Sequence, residues 1–257
     1  MTYCVALKLD EGLVCVSDTR TNAGIDDVAR YRKMFTWESP DRAVVLMTAG
    51  NLSITQGVID RLEHAVRAAD RGEVFTDDLG VIQNGETVLT VPNLFRLAQI
   101  VGLMMRELVD RHRAPMEKDG AAAGASILVG GQIAGEAPRL FLVYSAGNFI
   151  ECGEDTPYFQ IGEAKYGKPI IARTVRSDMA LGAGLRMALV SMDSTVRSNL
   201  SVGLPLDVAV LRTDTMQFST RRRVEEDDPR YVAISEGWST ALLSALDDLP
   251  DLDDWVS

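Results

Sequence analysis

Four residues early in the chain suit attack of a hydroxyl on an amide carbonyl: Thr2, Asp18, Lys33 and Gly50. A small residue such as threonine in second place leaves Met1 open to removal by cellular aminopeptidase, and the mature chain then begins at Thr2. A free N-terminal threonine carries its own base, because an α-amine with an unperturbed pKa of about 7.7–8.0 can take the hydroxyl proton near neutral pH. That amine needs a nearby positive charge to keep it neutral and to acidify the hydroxyl. Lys33 is the candidate, bridging Asp18 and the threonine oxygen. Gly50 ends an apolar run and opens a helix, so its backbone N–H, unobstructed by a side chain, can face an oxyanion.

Composition removes the rival chemistries. The chain has 257 residues and only two histidines. It contains no Gly-x-Ser-x-Gly elbow and no His-Glu-x-x-His pair, so serine hydrolase and zincin sites are excluded. His64 and His112 stand among charged residues on helical stretches and read as solvated. Three cysteines, Cys4, Cys15 and Cys152, are too scattered for a disulfide framework or a metal pair, which points to a reducing compartment. The proposed chemistry needs neither metal nor organic cofactor. Lys plus Arg is 26 against 37 Asp plus Glu, a formal net charge of −11 that disfavours nucleic acid and anionic membrane as partners. The N-terminus lacks the pattern of a signal peptide and no membrane-length apolar run occurs, so cytoplasm is the expected location.

These residues need elements to bring them together. Residues 3–9 and 13–18 read as a hairpin turning at Asp10-Glu11-Gly12. Pairing Leu9 with Leu13 sets Arg20 opposite Thr2 and Asp18 opposite Cys4; pairing Asp10 with Leu13 sets Thr21 and Val5 there instead. Either register ends the segment Asp18-Thr19-Arg20 beside the start of the chain. A strand is expected at 42–49, amphipathic helices at 52–69 and 92–113, and a meander at 125–131, 139–145 and 148–152. Helices at 165–174 and 179–196, strands at 206–212 and 216–222 and a helix at about 231–246 complete the order. Strand runs alternating with helix pairs predict an α+β fold, a four-layer α/β/β/α sandwich of two mainly antiparallel sheets. Residues 1–257 read as one domain with an acidic tail at about 247–257. Gly182-Ala183-Gly184 reads as close helix packing in place of a dinucleotide fingerprint, and Arg221-Arg222-Arg223 as a turn compensated by the acids at 225–228.

The start Thr2-Tyr3-Cys4-Val5-Ala6-Leu7, then Ser17-Asp18-Thr19-Arg20, Lys33 and Thr48-Ala49-Gly50-Asn51, resembles proteasome-type β subunits, N-terminal nucleophile threonine hydrolases. With Ile161-Gly162-Glu163-x-Lys165-Tyr166-Gly167-Lys168-Pro169, the chain most resembles the bacterial Anbu, or ancestral beta subunit, group over nearly its whole length. The resemblance implies Thr2 as nucleophile and base, Asp18 and Lys33 as the charge pair, Gly50 as oxyanion donor and Arg20 as a structural or site-shaping partner at the substrate side. It implies that Thr48 faces the pocket for the substrate side chain on the acyl side of the cut bond, and that the chain self-assembles into a ring or helical array. Proteasomal sites add a Gly-Ser-Gly serine and an Asp-x-x-Ser-Gly-Gly. Here those stretches read Gly162-Glu163-Ala164 and Ser198-Asn199-Leu200-Ser201-Val202-Gly203, so Ser201 matches and the first serine and the acid do not. Glu163 and Asp193 are the candidates to replace them. The expected function is cleavage of peptide or amide bonds through an acyl-ester on Thr2, with an ATP-driven partner left open. The alternatives are a self-assembling scaffold with little turnover, or an amidase or transpeptidase for one small amide.

Overall fold

The computed structural model describes residues 2–22, 28–120 and 122–256. One sheet has the strand order β10(Tyr158–Gly162), β1(Tyr3–Leu9), β2(Gly12–Asp18), β11(Leu206–Arg212), β12(Phe218–Val224). The other runs β5(Met34–Ser39), β6(Arg42–Gly50), β7(Ala125–Ile133), β8(Arg139–Tyr144), β9(Phe149–Glu151). Every neighbouring pair in both is antiparallel. A two-stranded ribbon, β3(Arg20–Asn22) and β4(Val28–Arg30), stands apart. Helices α1(Leu52–Asp70) and α2(Leu94–Lys118) cover the second sheet, while α3(Ala164–Thr174), α4(Leu181–Ser198) and α5(Pro229–Asp247) lie on the side of the first.

Alternation of side chains along each strand builds the layers. On β1, Tyr3, Val5, Leu7 and Leu9 enter the core shared with α3 and α4. Cys4 and Ala6 enter the layer between the sheets with Cys15, Met34, Met47 and Ala49. A third core of Val44, Leu46, Ile127 and Val129 meets α1 and α2. This is the expected four-layer sandwich. Because the inner sheets are covered on both faces, β1 and β2 are buried almost throughout and read in sequence as continuous apolar runs. Gly184 of α4 packs onto β1, where an added Cβ would lie 2.6 Å from Leu9 Cδ1.

The structure corrects several expectations. The hairpin pairs Leu9 with Gly12 and Cys4 with Ser17, so neither anticipated register holds. Gly12 has φ +141, and its missing Cβ would fall 2.0 Å from the Leu211 carbonyl oxygen, which lets a two-residue turn at Asp10-Glu11 close the hairpin. Strands β3, β4 and β10 were not anticipated: the first two have three residues each, and β10 is an edge strand directly after Pro157. Helix α2 continues past 113 through Pro115. Arg221, Arg222 and Arg223 lie on β12, not in a turn, and pair with Glu38, Asp228 and Asp207. The acidic tail holds the end of α5 and a short helix, α6(Asp253–Val256), with residues 247–255 exposed. Among the described residues no helix is long and apolar enough to cross a membrane.

Candidate active site

At the open end of the hairpin, opposite its turn, β1 starts and β2 stops, and Asp18 is fully buried there. Its Oδ1 accepts from the Tyr3 backbone N–H at 3.0 Å and from Lys33 Nζ at 2.8 Å, while its Oδ2 accepts from the Gly203 N–H at 3.4 Å. Lys33, just before β5, is only 3% exposed and also donates to the Arg20 carbonyl oxygen. Burial pushes the Asp18 carboxyl above its usual range, opposed by Lys33 and by the two backbone donors. Stripping an ion pair of water costs several kcal/mol per ion, a cost offset only by good geometry and further hydrogen bonds. The two N–H donors and the carbonyl supply those bonds. The ammonium therefore sits one hydrogen-bonded carboxylate away from the peptide that joins Thr2 to Tyr3.

Thr2 is 7% exposed. Its carbonyl oxygen accepts from the Glu163 N–H at 2.7 Å, which extends the β1–β10 ladder beyond Tyr3–Gly162. Gly162 has φ +81 and an added Cβ would overlap the Thr2 carbonyl oxygen at 1.8 Å, so only glycine allows this approach. By strand alternation Thr2 continues the face of Cys4 and Ala6, between the sheets. Tyr3 anchors the opposite face. Its hydroxyl contacts Ser191 Oγ at 2.7 Å and accepts from Gln160, and burial lifts its pKa to about 12. Met1, whose removal the chemistry requires, lies outside the described residues.

Gly50 closes β6 opposite Ala125 with φ +98, and a Cβ there would fall 2.4 Å from the Gly124 carbonyl oxygen. The next residue, Asn51, caps α1 by accepting from the Ser53 and Ile54 N–H groups at 3.0 and 3.3 Å, a bond set worth about 1 kcal/mol. The cap fixes the corner where strand becomes helix. A cavity of about 250 Å³ adjoins it, lined by Gly50 and Gly162 together with Ala49, Gly124, Ser126 and Ser145. The cavity thus touches both the proposed oxyanion donor and the glycine seated against Thr2.

The other expected residues are distributed around this centre. Thr48 is 4% exposed, lies on the β6 face that meets α1 and α2 in line with Leu46, and does not line the cavity beside Gly50. The Arg20 guanidinium donates to the Leu200 carbonyl oxygen at 3.1 Å and packs on Gly203, where a Cβ would fall 2.4 Å from Cζ. Arg20 thereby fastens the 200–203 segment that brings the Gly203 N–H to Asp18. Ser201 lies in that segment, its N–H bonded to Asn199 Oδ1 at 2.9 Å. Asp193 accepts from the Tyr231 hydroxyl at 3.3 Å and from Arg197 at 3.1 Å, so each of its carboxylate oxygens is engaged on the α4–α5 side. Gly203 was not anticipated, since a donor to Asp18 from 185 residues away leaves no local signal. Among the described residues no cluster of His, Cys, Asp or Glu could hold a metal ion.

No family model and no curated protein matches the chain. Solved structures do. Anbu (ancestral beta-subunit) from Yersinia bercovieri is 41% identical, with a TM-score of 0.85 over 97% of this chain and 98% of that one. A helical assembly of the Anbu complex from Pseudomonas aeruginosa is 42% identical, with a TM-score of 0.86 over 97% and 98%. Anbu from Hyphomicrobium sp. strain MC1 is 42% identical, with a TM-score of 0.83 over 97% and 99%.

Proposed function

We propose, from the premise that this chain belongs to the proteasome-β-like Anbu family, that it is a threonine-type N-terminal nucleophile hydrolase acting on peptide or other amide bonds. The observation that carries this reading is the buried Lys33–Asp18 pair, bonded to the Tyr3 N–H and so held one residue from Thr2. A buried ion pair is costly to keep for structure alone, and its position at the first residues of the chain fits the tuning of a terminal amine.

After Met1 is removed, the Thr2 amine takes the Oγ proton as Oγ attacks the substrate carbonyl carbon. The oxyanion develops toward the Gly50 N–H. The protonated amine then delivers its proton to the leaving nitrogen, the C–N bond breaks and an acyl-ester remains on Thr2. Water, deprotonated by the same amine, attacks the ester carbonyl and restores the hydroxyl. Lys33 lowers the cost of negative charge on Oγ, and Asp18 holds Lys33 in place.

We further propose a homo-oligomer, ring or helical, and a cytoplasmic location. The first draws support from the helical assembly of the Pseudomonas aeruginosa relative and from exposed Leu242, Leu243 and Leu246 on α5. The second draws support from three cysteines that are free and buried. Light scattering at micromolar concentration should show a species well above 28.0 kDa; a 28 kDa species alone would contradict the assembly. Incubation of the processed protein with a diverse peptide and small-amide library, read by mass spectrometry, tests the hydrolase reading. Cleavage that vanishes in Thr2→Ala supports it; cleavage that survives the substitution overturns it.

A further inference from the structure

Once Met1 is removed, Thr2 has a peptide bond on one side only, and that single peptide carries the nucleophile into the fold. Its carbonyl oxygen accepts from the Glu163 N–H at 2.7 Å and its N–H, that of Tyr3, donates to Asp18 Oδ1 at 3.0 Å. The far end of the Tyr3 side chain is a third fixed point. Tyr3 and Ser191 are both fully buried, their hydroxyls share a hydrogen bond of 2.7 Å, and the Gln160 side-chain amide donates to the same phenol oxygen. These partners belong to α4 and β10, in the core that also holds Val5, Leu7, Ile171 and Met192. A phenylalanine ring would fill the same space and leave no buried hydroxyl to satisfy. Helix α3 is shaped to the same group: at Gly167 an added Cβ would fall 2.2 Å from Ser191 Oγ and 2.6 Å from the Tyr3 hydroxyl oxygen. A glycine inside a helix costs about 1 kcal/mol relative to alanine. The fold thus accepts a buried pair of hydroxyls and a helical glycine at the residue that follows Thr2.

We propose that Tyr3 is a positioning residue for Thr2: its hydroxyl, held by Ser191 and Gln160, stops the Thr2–Tyr3 peptide from rocking and so fixes the direction in which the Thr2 amine and Oγ leave the strand. The inference rests on the threonine reading above and deepens it. The C=O and N–H of a trans peptide point in nearly opposite directions. Bonds at those two groups alone therefore leave the unit able to turn about the line through them, which swings the Cα of Thr2 one way and the Cα of Tyr3 the other. An anchor at the end of a rigid ring on Tyr3 blocks that turn from the Tyr3 side. No preceding peptide holds Thr2 in the mature chain, so the restraint on its Cα has to come from the residue after it. Attack requires the reacting atoms within about 3–3.5 Å and aligned, and a small swing of Cα displaces amine and Oγ together. Tyr3 projects to the helix side of β1 with Val5 and Leu7, away from the layer between the sheets, and acts only through the peptide it shares with Thr2.

The test is acylation of the processed chain by a β-lactone over a range of lactone concentrations, followed by intact mass, which separates the saturating rate from the half-saturating concentration. Tyr3→Phe keeps the ring and both backbone bonds, and should lower the saturating rate about tenfold while the half-saturating concentration and the final yield of one adduct per chain stay at the wild-type values. Ser191→Ala keeps the tyrosine, removes one of its two partners and should lower the rate in the same direction by less. A merely structural role would lower the melting temperature and the fraction of chain labelled, with the saturating rate of the folded fraction unchanged. Burial lifts the Tyr3 hydroxyl to about 12, so it carries no charge near neutral pH and the midpoint of the acid limb should not move in either variant. Saturating rates at the wild-type value in both variants, or a slower rate explained by a displaced limb, overturn the role of Tyr3 and leave Thr2 as nucleophile. Wild-type chain with Met1 removed that takes up no β-lactone overturns the threonine reading itself, and with it this inference.

Discussion

The two ends of the β1–β2 hairpin share the same two strands and differ in where they put charge. At the turn, Asp10 and Glu11 sit in solvent while backbone bonds pin the loop: Asp10 N–H to Ser177, Thr213 N–H to Glu11, Lys8 N–H to Pro157, all within 2.9 Å. The neighbouring side chains, Leu7, Leu9 and Leu13, are apolar core. At the open end, Asp18 and Lys33 are buried charges, and Ser17 beside them is fully buried with no hydrogen-bond partner for its hydroxyl among the described residues. An unsatisfied buried hydroxyl costs about 1–3 kcal/mol. The turn end is arranged for stability and the open end gives stability up. Such local conflict between polar side chains and a buried setting is expected where a fold carries chemistry.

Substitutions at the two ends should separate these roles. The largest effect belongs to Thr2→Ala, which should reduce threonine-dependent hydrolysis by at least about 10³-fold with the melting temperature unchanged, checked by kinetics beside calorimetry. Asp18→Asn should slow acylation by about tenfold or more at neutral pH, because it removes the carboxylate that holds Lys33 in place, checked by the rate of adduct formation. Gly12→Ala at the turn end should lower stability by about 1–3 kcal/mol, since the new Cβ meets the Leu211 carbonyl oxygen, while the rate per folded molecule stays at the wild-type value. The smallest effect is at the surface: Glu73→Gln breaks an exposed pair with Arg71 and should leave the melting temperature unchanged within error.

Titration offers a further contrast. Burial raises the Asp18 carboxyl above the ordinary aspartate range, so the Asp18-dependent part of acylation should be lost on acidification at a higher pH than an ordinary aspartate would dictate. Between the ordinary aspartate pKa of the unfolded chain and the raised one the folded chain binds more protons than the unfolded one. The contribution of Asp18 to stability is therefore present at low pH and is lost as pH rises through the raised value. Acylation and this part of the stability should run in opposite directions on acidification. Parallel loss of both, traced to Asp18 by the absence of the effect in Asp18→Asn, would contradict the assignment.

Much of the layer order could be read from the chain, because β1, β2, β6 and β7 are long apolar runs and α1 and α2 have strong helical periodicity. Thr2, Asp18, Lys33 and Gly50 stand out in sequence because each falls next to an element boundary. The register did not, since it depends on Gly12 meeting Leu211 of β11, a contact with a strand nearly 200 residues later. The same limit applies to Gly203, which reaches Asp18 only through the segment fastened by Arg20. Edge strand β10 follows a proline and lacks a clear alternating pattern, yet it delivers Gly162 and Glu163 to Thr2. Thr48 shows the reverse: its strand was legible, but the face it takes was set by how β6 packs between β5 and β7.

The central claim is that the chain becomes a nucleophile at its own first residue, and intact-mass analysis before and after treatment with a β-lactone addresses it directly. The account predicts a chain lacking Met1 that gains one adduct, mapped by peptide sequencing to Thr2 and absent from Thr2→Ala. A mature chain that retains Met1, or an adduct mapped to any other residue, would contradict it.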